Sequence, residues 1–336
     1  MISIKILKNE YLINILLIIR KLISILFLNK KKFFPQKNKI INSPDIISNI
    51  ISNYILKKKP FFVGRLGGNE LNIIENYFGT KQKKISLIKY LLKKNPEWFW
   101  HKGKLKLFKE GAGFFPLKAK YLEKYCVTTL KDFEQVDLHG FTPLTYSIYK
   151  KISHFSKFKK FSKCNIQYLE PYFSKKPWSS YLKGKKVLII HPFSETICKQ
   201  YKKREKLFLD KNVLPKFKLK TIKAIQSAAN NKSKFKDWFE ALDFMKKKID
   251  KEDFDIAIIG CGAYGFNLGA YVKQKGKCAI HLGGAIQILF GIKGKRYENL
   301  KHADGSYIKL FNKSWVRAKK SERPKQFLKI EGGTYW

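Results

Sequence analysis

Three clusters in this sequence join bare backbone to groups that hold or move charge. Arg65-Leu66-Gly67-Gly68-Asn69-Glu70 sets two glycines between a guanidinium and a carboxylate, straight after the apolar run Phe61-Phe62-Val63. Gly67 and Gly68, with Asn69 beside them, let the chain turn and a ligand approach the main chain. Arg65 can pair two-fold with a phosphate or lock onto Glu70 as an ion pair. Glu70 falls in the first turn of the next helix, where a carboxylate favours the dipole, binds a metal or acts as base. Gly260-Cys261-Gly262-Ala263-Tyr264-Gly265 is G-x-G-x-x-G between a strand and a helix. In that context the glycines permit a sharp turn and admit a phosphate to the unpaired N–H groups of the helix start. The same glycines also suit close helix–strand packing. His191 and Glu195, after KKVLIIHPF, form an acid/base pair for one cleft or merely a capping pair.

Other residues follow from these. In QYKKREKLF, Arg204 is placed to face a diphosphate while Lys202 and Lys203 read as a solvated face. HLGGAIQILFGIKGKR repeats the strand–glycine–helix arrangement at Gly283 and Gly284, with His281, Gln287 and Arg296 as readers of a sugar or nucleotide. A dinucleotide enzyme needs Asp or Glu at the end of the following strand to hold the ribose. That strand ends His281-Leu282-Gly283-Gly284, which weakens an NAD(P)-dependent oxidoreductase and leaves a phosphate-bearing ligand. Trp98 and Trp100 suit a sugar platform, although buried structural aromatics are commoner.

Charge narrows the partners. The chain has 336 residues, with 70 Lys and Arg against 25 Asp and Glu, a formal charge of +45. Lysine is spread through almost every segment and no recognition motif accompanies it, so nucleic acid is not the expected partner. Anionic membrane surfaces or phosphorylated substrates fit better. Cys126, Cys164, Cys198, Cys261 and Cys278 are odd in number, widely spaced and without a CxxC pair, pointing to a reducing compartment. Near the N-terminus the longest uncharged stretch, Tyr11 to Ile19, has nine residues, about half of the ~20 a membrane span requires. No cleavage site for a secretory signal follows it. A helix packed on its own domain, or one lying on the membrane interface with Lys30, Lys31 and Lys32 behind it, satisfies this pattern.

The elements that must position these groups read as three parts. Residues 1–44 are an apolar and basic helical segment with a linker over 33–45. Residues 45–184 carry a helix to about Leu56 capped by Ser43 or Asp45, the strand FFVGR, a helix from about Glu70 to Tyr77, and an aromatic stretch of unresolved order. Residues 185–336 alternate buried strands (KKVLIIHPF, DFDIAIIG, KCAIHLGG) with helices over 194–208, 237–250 and 262–276. Apolar runs without alternation are strands buried on both faces, so the fold class is α/β: a Rossmann-like, doubly wound, mostly parallel sheet with helices on both faces.

R-x-G-x-x-E after a strand, as in Arg65 to Glu70, resembles the signature of bacterial glycosyltransferases with the GT-D fold. GAGFFP, HPFSETI, DWFEALDFM, FDIAIIGCGAYG, HLGGAIQILFGIKGKR and the terminal EGGTYW resemble a bacterial family common among surface-polysaccharide genes and assigned to that fold. The resemblance runs from about residue 45 to the end. It implies transfer of a sugar from a nucleotide-sugar donor to a glycan or lipid-linked acceptor, with a divalent metal. The metal-binding relatives carry an acidic pair, D-x-E, within the motif. Here Gly68 stands at the first acid, and Glu70 alone is thin support for Mg²⁺ or Mn²⁺. The expected setting is cytoplasmic, with residues 1–34 touching the inner face of the membrane. A non-catalytic sugar-phosphate binding protein is the other alternative.

Overall fold

The computed structural model describes residues 2–3, 7, 9–27, 40–229, 231, 233–299, 301–302, 305–330 and 332–336. The expectations placed on Lys30, Lys31 and Lys32, on most of the 33–45 linker and on Glu331 lie outside the described residues. Seven strands make one sheet: β1 (Phe62–Gly64), β2 (Leu138–Phe141), β3 (Ser162–Asn165), β4 (Lys186–His191), β5 (Lys218–Lys223), β6 (Ile256–Ile259) and β7 (Cys278–His281). Their spatial order is β3-β2-β1-β7-β6-β4-β5, and every pairing is parallel. β1 sits mid-sheet, with Val63 opposite Leu138 of β2 on one side and Ile280 of β7 on the other. Thus the 45–184 and 185–336 parts contribute strands to a single sheet.

Helices cover both faces, as the apolar strands require. Phe62, Leu188, Ile190, Ala257, Ile259 and Ala279 pack toward α3 (Gly68–Thr80), α4 (Ala119–Asp132), α5 (Pro143–Ile152), α7 (Trp238–Asp250) and α8 (Tyr264–Gln274). The alternate residues Val63, Leu138, Val187, Ile189, Ile258 and Ile280 pack toward α2 (Pro44–Leu56) and α6 (Ser194–Tyr201). A further helix, α1 (Glu10–Phe27), lies in the N-terminal segment against a small separate cluster.

Local chemistry sets the helix ends. Ser43 caps α2 by accepting from Ile46 N–H, with Pro44 at the first helical position, where its missing N–H is harmless. Asp237 does the same for α7 through Glu240 N–H at 2.9 Å. α3 starts at Gly68, two residues before the expected Glu70, because Gly67 stays extended and serves as the cap. α6 stops at Tyr201 rather than Phe208. Lys199 and Lys203, and Lys202 and Lys206, are like-charge pairs four apart that disfavour a longer helix. The chain tightens there into a turn at Arg204–Lys206. β5 reads KLKTIK and lies at the sheet edge, where Lys218, Lys220 and Lys223 guard against pairing with other chains.

Candidate active-site cleft

The loops after β1, β7, β6 and β4 all leave from the carboxyl edge of the sheet. There Arg65 Nη1 donates to Leu282 O at 2.9 Å, bridging β1 and β7. Gly283 adopts φ +58, and a Cβ on it would stand 3.4 Å from Arg65 Nε. A Cβ on Gly260 would collide with the Gly283 carbonyl. Arg65, Gly283 and Gly260 are therefore immediate neighbours, and the RLGG, HLGG and GCGAYG turns form one continuous strip.

Beside this strip opens a cleft, partly continuous with solvent. Of the residues singled out in the sequence, His191, Gly260, Gly262, Tyr264, Gly284 and Gln287 line it. Phe193, Tyr335 and Trp336 add an aromatic wall, and Ser227 lines the cleft with them. His191 is buried, and its Nδ1 accepts from Phe193 N–H at 3.0 Å. Burial brings its pKa down to about 3, so the ring is neutral with its proton on Nε2. It is built to donate a hydrogen bond rather than to carry charge. Gln287 is fully buried; its Nε2 reaches Ile292 O and Tyr335 O at 3.3 and 3.4 Å, while its Oε1 has no partner among the described residues.

The G-x-G-x-x-G turn differs from the open phosphate cradle that the spacing predicts. The carbonyl of Ala112 accepts from Ala263 N–H at 3.0 Å, and Tyr264 and Gly265 N–H bond back to Cys261 O and Gly262 O. Gly262, at φ +57, leaves room for that same carbonyl, since a Cβ there would lie 2.8 Å from Ala112 O. Among the described hydrogen bonds, only the Cys261 and Gly262 amides of residues 260–265 are unused. Gly265 has a packing role as well: a Cβ would strike the His281 ring.

The RLGGNE turn is held from behind. Leu66 N–H donates to Nε2 of His139, a fully buried residue on β2 that sequence reading missed. Burial, then the charges of His281 and Arg65, hold its pKa well below the usual histidine range. His281 is likewise buried, brought to about 3 by burial and by Arg65, and tucked under α8 rather than lining the cleft. Asn69 reaches the π-helical turn Phe108–Ala112, whose end lines the cleft, its Nδ2 being 2.8 Å from where a Cβ of Gly111 would stand. Glu70 folds back over bare Gly67. Among the described residues no group of three or more His, Cys, Asp or Glu gathers for a metal ion. A cation at Glu70 would need water and substrate phosphates for its other ligands.

Three expected site residues stand apart. Glu195 faces solvent and pairs with Lys319 and Lys223 at 2.5 and 3.4 Å, so it shares no cleft with His191. The cause is Glu322, whose carboxylate takes the N–H groups of Glu195 and Thr196 and caps α6 from the tail. Arg204 follows the early end of α6, pairs with Glu205 at 2.6 Å and lies over the Tyr201 ring. Arg296 donates to Tyr335 Oη at 3.1 Å and stacks on its ring, bracing the cleft wall. Trp98 and Trp100 pack in hydrophobic clusters, the structural role.

A second missed residue is Glu170. Its carboxyl is buried, accepts from Tyr172 and Tyr307 hydroxyls at 2.7 Å each, and is pushed up to about 7 by burial, with the Tyr bonds and Arg65 opposing. Its only sequence signal is a lone acid before proline in the aromatic run EPYF.

No family model matches the sequence, and no curated protein matches it. The chain is similar to two solved structures. One, a selenomethionine-substituted domain of unknown function 1792, covers 91% of this chain and 96% of its own length at 12% identity, with a TM-score of 0.43. The other is described as showing that the highly conserved domain of unknown function 1792 has a distinct glycosyltransferase fold; it covers 84% of this chain and 93% of its own length at 13% identity, with a TM-score of 0.41.

Proposed function

We propose that this protein is a glycosyltransferase that moves a sugar from a nucleotide-sugar donor to a glycan or lipid-linked acceptor in bacterial surface-polysaccharide synthesis. The observation that supports it most is the strip Arg65–Gly283–Gly260 beside the cleft. It lies at the carboxyl edge where β1 leads outward to β2 while β7 comes in from the other side, the switch point at which open α/β sheets bind ligands. The R-x-G-x-x-E resemblance of Arg65 to Glu70 points the same way.

In this reading the donor diphosphate lies along the strip. Arg65 and the unused amides of Cys261 and Gly262 stabilise the charge that grows on it as the sugar leaves. The aromatic wall of Phe193, Tyr335 and Trp336 holds a ring of the substrate. His191 donates from Nε2 to orient it, being too weakly basic to take a proton at neutral pH. Glu70 serves the acceptor hydroxyl as base, or a Mg²⁺ or Mn²⁺ ion shared with the diphosphate.

A second reading has one observation of its own. Ala112 O occupies the start of α8 and Glu70 lacks the family's acidic partner, which suits a sugar-phosphate binding protein without turnover. One experiment separates the readings: a panel of nucleotide sugars, with and without Mn²⁺, followed by thermal protection and nucleotide release. Protection with release that fails in Arg65→Ala and Glu70→Ala supports the transferase. Protection without release under any acceptor supports the binder. Protection by NAD and by no nucleotide sugar overturns both.

A further inference from the structure

We infer that the outer face of α1 is a docking surface for an anionic lipid bilayer. The inner face of this helix is accounted for. Leu16 is buried with Ile85, Tyr90 and Trp98. Arg20 is also buried, its Nη1 on Glu97 Oε1 at 2.6 Å and its guanidinium over the Tyr90 ring.

No described residue covers the outer face. Tyr11 is 76% exposed, Ile18 60%, Leu22 53%, Ile25 56% and Leu26 71%, with Ile15 and Ile19 at 38% each. At 3.6 residues per turn these seven fall in one unbroken arc of about 120°. No charged residue lies inside that arc; Lys21 stands beyond its edge. The adjoining short helix Leu87–Leu91 adds Ile88, 72% exposed, and Leu92 just after it. Single apolar residues scattered on a surface mean little, but a contiguous patch of this kind marks a contact surface.

Charge identifies the occupant. The segment KKISLIKYLLKK (83–94) beside α1 holds no acid, and Lys83, Lys84, Lys89, Lys93 and Lys94 are exposed. Lys93 Nζ donates to Ser24 Oγ at 2.5 Å, fixing that segment against the helix. The one acid of α1, Glu10, is engaged by Lys102. Two copies of a chain with a formal charge of +45 repel each other, whereas anionic phospholipid headgroups attract it. No helix among the described residues is long and apolar enough to cross a membrane, so α1 lies in the interfacial plane with its apolar stripe turned inward. This inference does not depend on the transferase reading.

The test uses the full chain and vesicles of phosphatidylcholine, with or without phosphatidylglycerol, in a co-sedimentation assay. We expect binding to the phosphatidylglycerol vesicles that weakens with salt, and about a tenfold or greater loss in Leu22→Glu/Leu26→Glu. Both positions are exposed, and thermal melting checks that this variant folds. Lys89→Glu/Lys94→Glu should lower the preference for phosphatidylglycerol while leaving the apolar stripe intact. Unchanged binding in the Leu22/Leu26 variant overturns the inference. So does a wild-type chain that ignores both vesicles, whether monomeric or, by light scattering, a dimer that Leu22→Glu splits.

Discussion

Arg65 Nη1 and the carbonyl oxygen of Leu282 are hydrogen-bonded at 2.9 Å, although 217 residues separate them in the chain. Among the described hydrogen bonds this is the one the Arg65 guanidinium makes, and in the proposed reading the rest of its fork meets the donor diphosphate. Arg65→Lys keeps the charge and loses the fork. We expect nucleotide release to fall roughly 10- to 100-fold, in line with the loss of one oriented donor in a charge-stabilising site. Arg65→Ala should fall further and should also cost about 1.5–3 kcal/mol of stability through the lost bond to Leu282 O. The check is release kinetics with the donor that gives the strongest protection.

Gly262 and Gly68 should respond in opposite ways to alanine. Gly262 has φ +57 and a backbone oxygen 2.8 Å from the position of a Cβ. Gly262→Ala should cost about 1–3 kcal/mol, the usual penalty for a strained backbone, read as a lower melting temperature. Gly68 begins α3 with nothing within 4 Å of a Cβ, so Gly68→Ala should fold at least as well. If release is nevertheless lost in Gly68→Ala, a ligand lies against that bare backbone.

Glu170 makes stability depend on pH. Its folded-state pKa is raised to about 7, whereas the unfolded chain ionises near the ordinary 4.5. Between those values the folded protein holds a proton that the unfolded chain has lost, so stability falls as pH rises through the window and levels off above it. The drop should be on the order of a few kcal/mol. Glu170→Gln should flatten the slope of melting temperature against pH over that interval.

Glu97 acts with the opposite sign. Burial alone would raise its pKa, but Lys104 and Arg20 outweigh burial and hold it at about 2. The stability it contributes is present above the ordinary 4.5 and is lost as pH falls toward 2. Glu97→Gln leaves buried Arg20 without its acid and should cost about 3–5 kcal/mol in the packing of α1. Limited proteolysis at neutral pH should then cut within α1 earlier than in the unaltered chain.

How much of this was legible depended on whether a feature is local. β4, β6 and β7 are uninterrupted apolar runs, so burial on both faces could be read directly. α7 announces itself through Asp237 and the stripe Trp238, Leu242, Met245 and Ile249. β2, reading LHGF, and β3, reading SKCN, are four residues each and too mixed in type to stand out; only the pairing of β2 with β1, and of β3 with β2, makes them strands. The glycine turn was visible, but the carbonyl of Ala112 that closes it comes from a distant π-helical turn, Phe108–Ala112, with no periodic mark. His139 and Glu170 were hidden for the same reason: each works through a tertiary partner, Leu66 N–H for one and the Tyr172 and Tyr307 hydroxyls for the other.

The seam between β1 and β7 has a consequence for biogenesis. During synthesis β1 and β2 emerge long before β7, so β1 carries an unsatisfied flank through most of translation, a template for illicit pairing with other nascent chains. The contact that closes it spans most of the polypeptide, and such long-range closure is slow. A chain cut short before residue 278 would thus be a sticky fragment, and the cleft is complete only once the tail bearing Tyr335 and Trp336 has followed β7 home.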